Sequence, residues 1–231
     1  AACLVLAVTT AIGWQQEWPL QWQSDYVTAI GEQVPLGMDD GSQVTLNTDS
    51  AMAVDYSESE RRVRLLKGEA WFDVATDTDR PFIVETGAGA VRVTGTQFNV
   101  HVQDGNAIVS LDEGRVELSL TDALTGPVAL IPGQQSVLSG SAISAPTDFD
   151  RTAVTAWMRG QFVFYDAPLS EVVATLNRYR PGRIVIANDD LNALKVSGIF
   201  STNDPDAALD VITGTLPVRQ TRLTDYLVLL R

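Results

Sequence analysis

Residues 61–75 read RRVRLLKGEAWFDVA, and the alternation in this stretch decides the fold. Val63 and Leu65 fall on one face of an extended chain, Gly68 interrupts, and Ala70 and Phe72 take up the pattern again. A period of two is what a half-buried β-strand needs, because its successive side chains point to opposite sides. Outward from it the same pattern recurs. On the N-terminal side, QVPLGMDDGSQVTLN (33–47) places an Asp40-Gly41 turn before Val44 and Leu46. On the C-terminal side follow PFIVET (81–86), AVRVTGTQFNVHV (90–102), NAIVSLDEGRVELSL (106–120) and QSVLSG (135–140). Gly41, Gly68, Gly95, Gly105, Gly114 and Gly133 punctuate these runs at strand ends or bends, where a positive φ is often required. No long amphipathic helix interrupts them. Residues 24–150 therefore read as an all-β domain, a sandwich or a short solenoid, with the pattern compatible with both.

The period then changes. SGSAISAPTDFD (139–150) is small, polar and proline-containing, as a boundary should be. Beyond it GQFVFYD alternates as a strand, and APLSEVVATLNRY sets Leu169, Val172, Val173 and Leu176 on one helical face. Two further strands, RIVIA and KVSGIF, precede DPDAALDVITGTL, a helix with Asp204 as N-cap, Pro205 at its first position and Gly214 ending it. A hairpin around Thr224 and Asp225 closes the chain. Residues 151–231 thus read as a small α+β domain of β-α-β-β-α-β-β order. Charge divides at the same place: residues 1–150 carry 7 basic and 21 acidic side chains, residues 151–231 carry 9 and 8.

A net charge of −13 excludes a nucleic-acid surface, which needs a clustered positive field. The single cysteine, Cys3, excludes an internal disulfide and a thiolate metal cluster. Residues 1–13 (AACLVLAVTTAIG) are apolar and uncharged, and Trp14, Trp18 and Trp22 follow as an interfacial belt would. Residues 1–23 are expected to be the end of a transmembrane helix with its juxtamembrane segment. With no Lys or Arg before Arg61, the bulk of the chain belongs on the side away from the cytoplasm.

Chemistry of turnover is thinly represented. His101, the only histidine, has no histidine or cysteine partner and reads as an ordinary strand residue. Asp39-Asp40 and Asp189-Asp190 read as solvated turns and not as calcium ligands, since neither has loop-ligand spacing. No nucleophile elbow and no dinucleotide loop occurs, and no cofactor or metal is expected.

Four pieces, in order, resemble the FecR family of periplasmic sigma factor regulators: Gly41-Ser42 with Val44 and Leu46; Gly68-Glu69-Ala70 with Phe72 and Val74; Pro81-Phe82 with Val84; and Gly95-Thr96 with Phe98 and Val100. The C-terminal domain resembles the secretin/TonB short N-terminal domain through Phe164, Pro168, Leu169, Leu176 and Gly198-Ile199-Phe200. The resemblance implies a single-pass inner-membrane protein, anchored through residues 1–13, whose periplasmic part binds the signalling domain of a TonB-dependent outer-membrane receptor. The iron or siderophore status of the receptor would pass to an extracytoplasmic-function sigma factor, through a cytoplasmic domain outside these residues, with site proteases releasing it. No enzymatic turnover is implied. Self-cleavage at Gly95-Thr96, by attack of the threonine hydroxyl on the preceding carbonyl, is implied by relatives that cut themselves there. Phe200, Arg219, Arg222 and Tyr226 are the expected partner-binding residues, since arginine and aromatics are favoured at interfaces. The competing reading is a cell-envelope scaffold or polysaccharide-binding β protein, which would display rows of exposed aromatics.

Overall fold

The structure, a computed structural model, describes residues 23–120 and 126–231. The expected membrane segment with Trp14, Trp18 and Trp22 lies outside the described residues. Among those described, no helix is long and apolar enough to cross a membrane.

Among the described residues the first body holds fourteen strands, from β1 (Tyr26–Val27) to β14 (Thr147–Asp148). Its organiser is β5 (Arg61–Asp73), thirteen residues long. Its first half pairs with β4 (Ala51–Tyr56) and, in parallel, with β6 (Phe82–Thr86). Its second half pairs with β3 (Gln43–Leu46) and β8 (Gln97–Gln103). One strand thus belongs to two layers. The bend is at Gly68, where φ is +84° and any Cβ would overlap Ser50. The path continues through β9 (Asn106–Glu113) and β12 (Gln134–Ser139) on one side. On the other it runs through β7 (Gly89–Val93), β10 (Val116–Ser119) and β11 (Val128–Leu130).

The alternation predicted for 61–75 is what closes this body. Val63, Leu65, Ala70 and Phe72 are all at 0 % exposure, in one cluster with Phe82, Phe98, Val100, Leu111 and Leu118. Phe72 stacks on Phe98 at 5.1 Å and meets Phe82 edge-on at 6.0 Å. A single core shared by both halves, with mostly antiparallel neighbours, makes the body a strongly bent sandwich verging on a barrel. The solenoid reading does not apply, because its rungs would pair in parallel.

Two details differ from the sequence reading. Asp40 is not a solvated turn residue: its side chain is 3 % exposed and pairs at 2.7 Å with Arg61, itself at 0 %. Arg61 also donates to the carbonyls of Arg80, Ala75 and Asp77 and lies over the Phe82 ring, so a fully buried cation is satisfied on every side. Gly95 does not have a positive φ, unlike Gly41, Gly68, Gly105, Gly114 and Gly133. It is small because a Cβ there would overlap the Thr76 side chain.

The second body follows α1 (Arg151–Thr155), capped by Asp150, and a 3-10 turn at Ala156–Arg159. Strand β15 (Gln161–Pro168) leads into α2 (Leu169–Arg178), then β16 (Arg183–Ile186), β17 (Lys195–Ser201), α3 (Pro205–Thr215), β18 (Gln220–Thr224) and β19 (Leu227–Leu230). The order is the expected β-α-β-β-α-β-β. It forms two small sheets, β15-β17 and β16-β19-β18, with α2 and α3 supplying Leu169, Val172, Leu176, Leu209 and Ile212 to a second core. Asp204 caps α3 through the Ala207 N–H and Pro205 opens it, but the helix runs on through Gly214 to Thr215. Gly214 therefore lies in the last turn and does not end the helix.

Candidate docking surface and the buried polar junction

The residues expected to contact a partner divide between the two small sheets. Arg219, Arg222 and Tyr226 share the β18–β19 hairpin, while Phe200 stands on β17. Tyr226 is 66 % exposed at the hairpin tip. Arg222 is engaged within the chain, with ion pairs to Asp206 at 3.1 Å and Asp210 at 2.9 Å on α3. Arg219 closes the hairpin base through backbone bonds in both directions with Arg231. Phe200 is half-buried, its ring 6.1 Å from Phe164, and serves the second core. Sequence reasoning did not single out three exposed apolar residues of the same module. Tyr165, Ile199 and Leu223 are 62, 61 and 55 % exposed, and each lies in a strand with one edge unpaired among the described residues. Their signal was faint: each is one apolar residue in an alternating strand, with nothing to mark which face stays open.

Gly95 and Thr96 lie between β7 and β8. Thr96 is 5 % exposed, its hydroxyl donates to the Arg115 carbonyl at 3.1 Å, and its own carbonyl accepts from the Val74 N–H at 3.0 Å. Gly114 packs against this peptide so closely that a Cβ there would stand 2.8 Å from the Gly95 carbonyl oxygen and 2.9 Å from Thr96 Oγ1.

The most concentrated polar chemistry was not legible in the sequence. Where the second body rests on the first, Glu69 is buried and receives Arg178 at 2.6 Å, Asn99 at 2.8 Å and Asn47 at 2.8 Å. The Tyr179 hydroxyl donates to Asn47 Oδ1 at 2.9 Å, Thr48 Oγ1 to the Arg178 carbonyl at 3.0 Å, and Gln33 to the Trp157 carbonyl at 3.0 Å. Trp71, on the outer face of β5, packs into the second core. Burial alone would raise the Glu69 pKa, but the guanidinium of Arg178 and the donated hydrogen bonds outweigh it and hold the carboxyl at about 2. His101 sits opposite Glu69 in the β5–β8 ladder. Burial lowers its pKa to about 4, against the attraction of Glu69, so it is neutral at pH 7. These partners lie 109 and 132 positions apart, and no periodicity links them.

Residues 24–117 match the family described as FecR protein, and residues 161–225 match FecR, C-terminal. The chain belongs to the FecR family of sigma factor regulators. The second match names the family's own C-terminal domain where the sequence suggested a secretin/TonB short domain. No curated protein matches this FecR-family chain. Two crystal structures of a candidate anti-sigma factor from Parabacteroides distasonis ATCC 8503 are similar to it, both at 27 % identity and over 89 % of this chain. The structure at 1.65 Å resolution gives a TM-score of 0.75 over 97 % of its own length, and that at 2.50 Å gives 0.73 over 96 %.

Proposed function

We propose that this FecR-family chain is the periplasmic sensor of a single-span, inner-membrane sigma factor regulator. It docks the signalling domain of a TonB-dependent outer-membrane receptor on its C-terminal module. Iron or siderophore occupancy of the receptor then reaches a sigma factor through a cytoplasmic domain outside these residues, with site proteases acting near the membrane. The observation that carries the reading is a C-terminal module that, among the described residues, keeps open sheet edges with Tyr165, Ile199, Leu223 and Tyr226 beside them. Open edges and isolated apolar residues are what strand addition uses, and a domain without a partner would cover or charge them.

Titration calorimetry of the chain against purified receptor signalling domains from the same organism tests this. Binding at micromolar affinity or tighter to one domain is expected. A folded chain that binds none of them would instead favour the envelope-scaffold or glycan-binding alternative.

Gly95-Thr96 is proposed as a self-cleavage point: Thr96 Oγ1 attacks the Gly95 carbonyl, an ester replaces the amide, and water hydrolyses it. Mass spectrometry of purified chain should find a fragment ending at Gly95 and one beginning at Thr96, both absent in Thr96→Val. An intact chain of full mass after prolonged incubation would refute it.

A further inference from the structure

Strand β15 pairs with β17 along one edge, and among the described residues no strand pairs with the other. All eight residues of β15 border a cavity of about 700 Å³ between the two bodies. The opposite wall is the outer face of the first body. There His101, Ile108 and Val137 form one row across β8, β9 and β12, and Asn99, Ser110 and Gln135 form the next. The alternate residues of the same strands, such as Val100, Val109 and Leu138, point into the core, so these rows face away from it, across the cavity toward the second body.

Two buried polar atoms in the cavity lining have no partner among the described residues. Asn99 Oδ1 lacks a donor and Trp157 Nε1 lacks an acceptor, although the residues are only 2 % and 5 % exposed. Unsatisfied groups at such depth cost stability, which an incoming donor and acceptor would restore. The cavity is also acidic. Asp148, Asp150, Asp166 and Glu171 line it, and its one basic residue, Arg178, is committed to Glu69. Asp148 and Glu171 are exposed and make no ion pair among the described residues.

We infer that this cleft captures an extended, basic strand of the receptor signalling domain, added as a third strand beside Gln161–Phe164. This rests on the docking reading above and specifies which edge is used. In a two-stranded ladder alternate residues turn their N–H and C=O away from the partner, so a strand laid in the cleft completes β15 as far as the irregularity between Phe164 and Ala167. Lysine or arginine on that strand meets Asp148 and Glu171, and its backbone supplies the partners Asn99 and Trp157 lack.

The test measures affinity of the full chain for the signalling domain that binds wild type, together with hydrogen exchange. Val137→Trp, which fills the cleft, and the exposed pair Asp148→Lys with Glu171→Lys are each expected to weaken binding about tenfold or more. Ile131→Asp and Val211→Asp, at exposed positions outside the cleft lining, should change it little. Amides of 161–164 should gain protection in the complex. If Val137→Trp fails to fold, the charge reversals and the exchange data decide alone. Wild-type binding that survives the cleft changes, or protection appearing on 195–201 or 220–224 instead, overturns the inference while sparing the docking reading. No binding by wild type overturns both.

Discussion

Glu69 and Arg178 illustrate how much one residue can depend on another far along the chain. Glu69 is buried and Arg178 half-buried, so each depends on the other. Removing the carboxylate with Glu69→Ala leaves a half-buried guanidinium uncompensated and the Asn99 and Asn47 amides without their acceptor, and should cost about 3 kcal/mol in denaturant titration. Replacing both, as Glu69→Leu with Arg178→Met, should recover only part of that loss, because the desolvation penalty goes with the charges but Asn99 and Asn47 lose their acceptor. Gly95 makes a different point at the same scale. Its backbone is ordinary and its smallness is steric, so Gly95→Ala should destabilise by about 1–3 kcal/mol through overlap with Thr76. Thr76→Ala in the same chain should restore part of it. A loss that Thr76→Ala does not relieve would mean the backbone, and not the contact, sets the requirement. The alternation marked Gly68 and Gly95 equally as bends. Only the packing shows that the first needs its dihedral and the second needs its space.

At the scale of elements, α3 carries both a buried and an exposed set of contacts, and they should weigh very differently. Leu209 is at 0 % exposure in the second core, and Leu209→Ala should cost about 2–5 kcal/mol. Arg222 bridges Asp206 and Asp210, but these side chains are 40, 41 and 55 % exposed. Arg222→Ala should therefore cost under about 1 kcal/mol, because water and salt screen the pairs. A larger loss in thermal melts would show that the hairpin is held by this bridge and not by the core. The elements of this region were legible because each has its own local signal: apolar residues at 3.6 spacing, Asp204 before Pro205, alternation in KVSGIF. Gly214 misled for a local reason as well, since a glycine near a helix end suggests a stop, while burial of Ile212 and Thr213 carries the helix past it.

The two bodies together set the response to acid. His101 is surrounded by Glu69, Arg178 and Asp104, and its folded-state pKa of about 4 lies below the usual 6.5. Between these values the unfolded chain binds the proton and the folded chain does not, so stability falls as pH drops from 6.5 toward 4. At 1.36 kcal/mol per unit the loss reaches about 3 kcal/mol. Glu69 acts in the same direction lower down: its depressed pKa gives stability that is whole above 4.5 and lost as pH falls toward 2. Chemical denaturation from pH 7 to 4 should show this decline, and His101→Asn should flatten it. A wild-type curve already flat across that range would mean that His101 opens to solvent and that the junction is looser than its hydrogen bonds suggest.

The sequence alone determined the alternating strands of 33–47, 61–75, 81–120 and 135–140, the order β-α-β-β-α-β-β, much of the first core and the family, because these follow from periods of two and 3.6 and from motifs read within a few residues; the strand Ala51–Tyr56 was not among them. Tertiary structure alone decided that Asp40 is buried on Arg61, that β5 serves two layers, and that Glu69, Asn99, Asn47, Arg178 and Tyr179 meet at one junction. Local patterns record which face of an element is apolar. They do not record which polar residue on the other face will lose its water to a segment more than a hundred positions away, and that loss of water is what makes those charges matter.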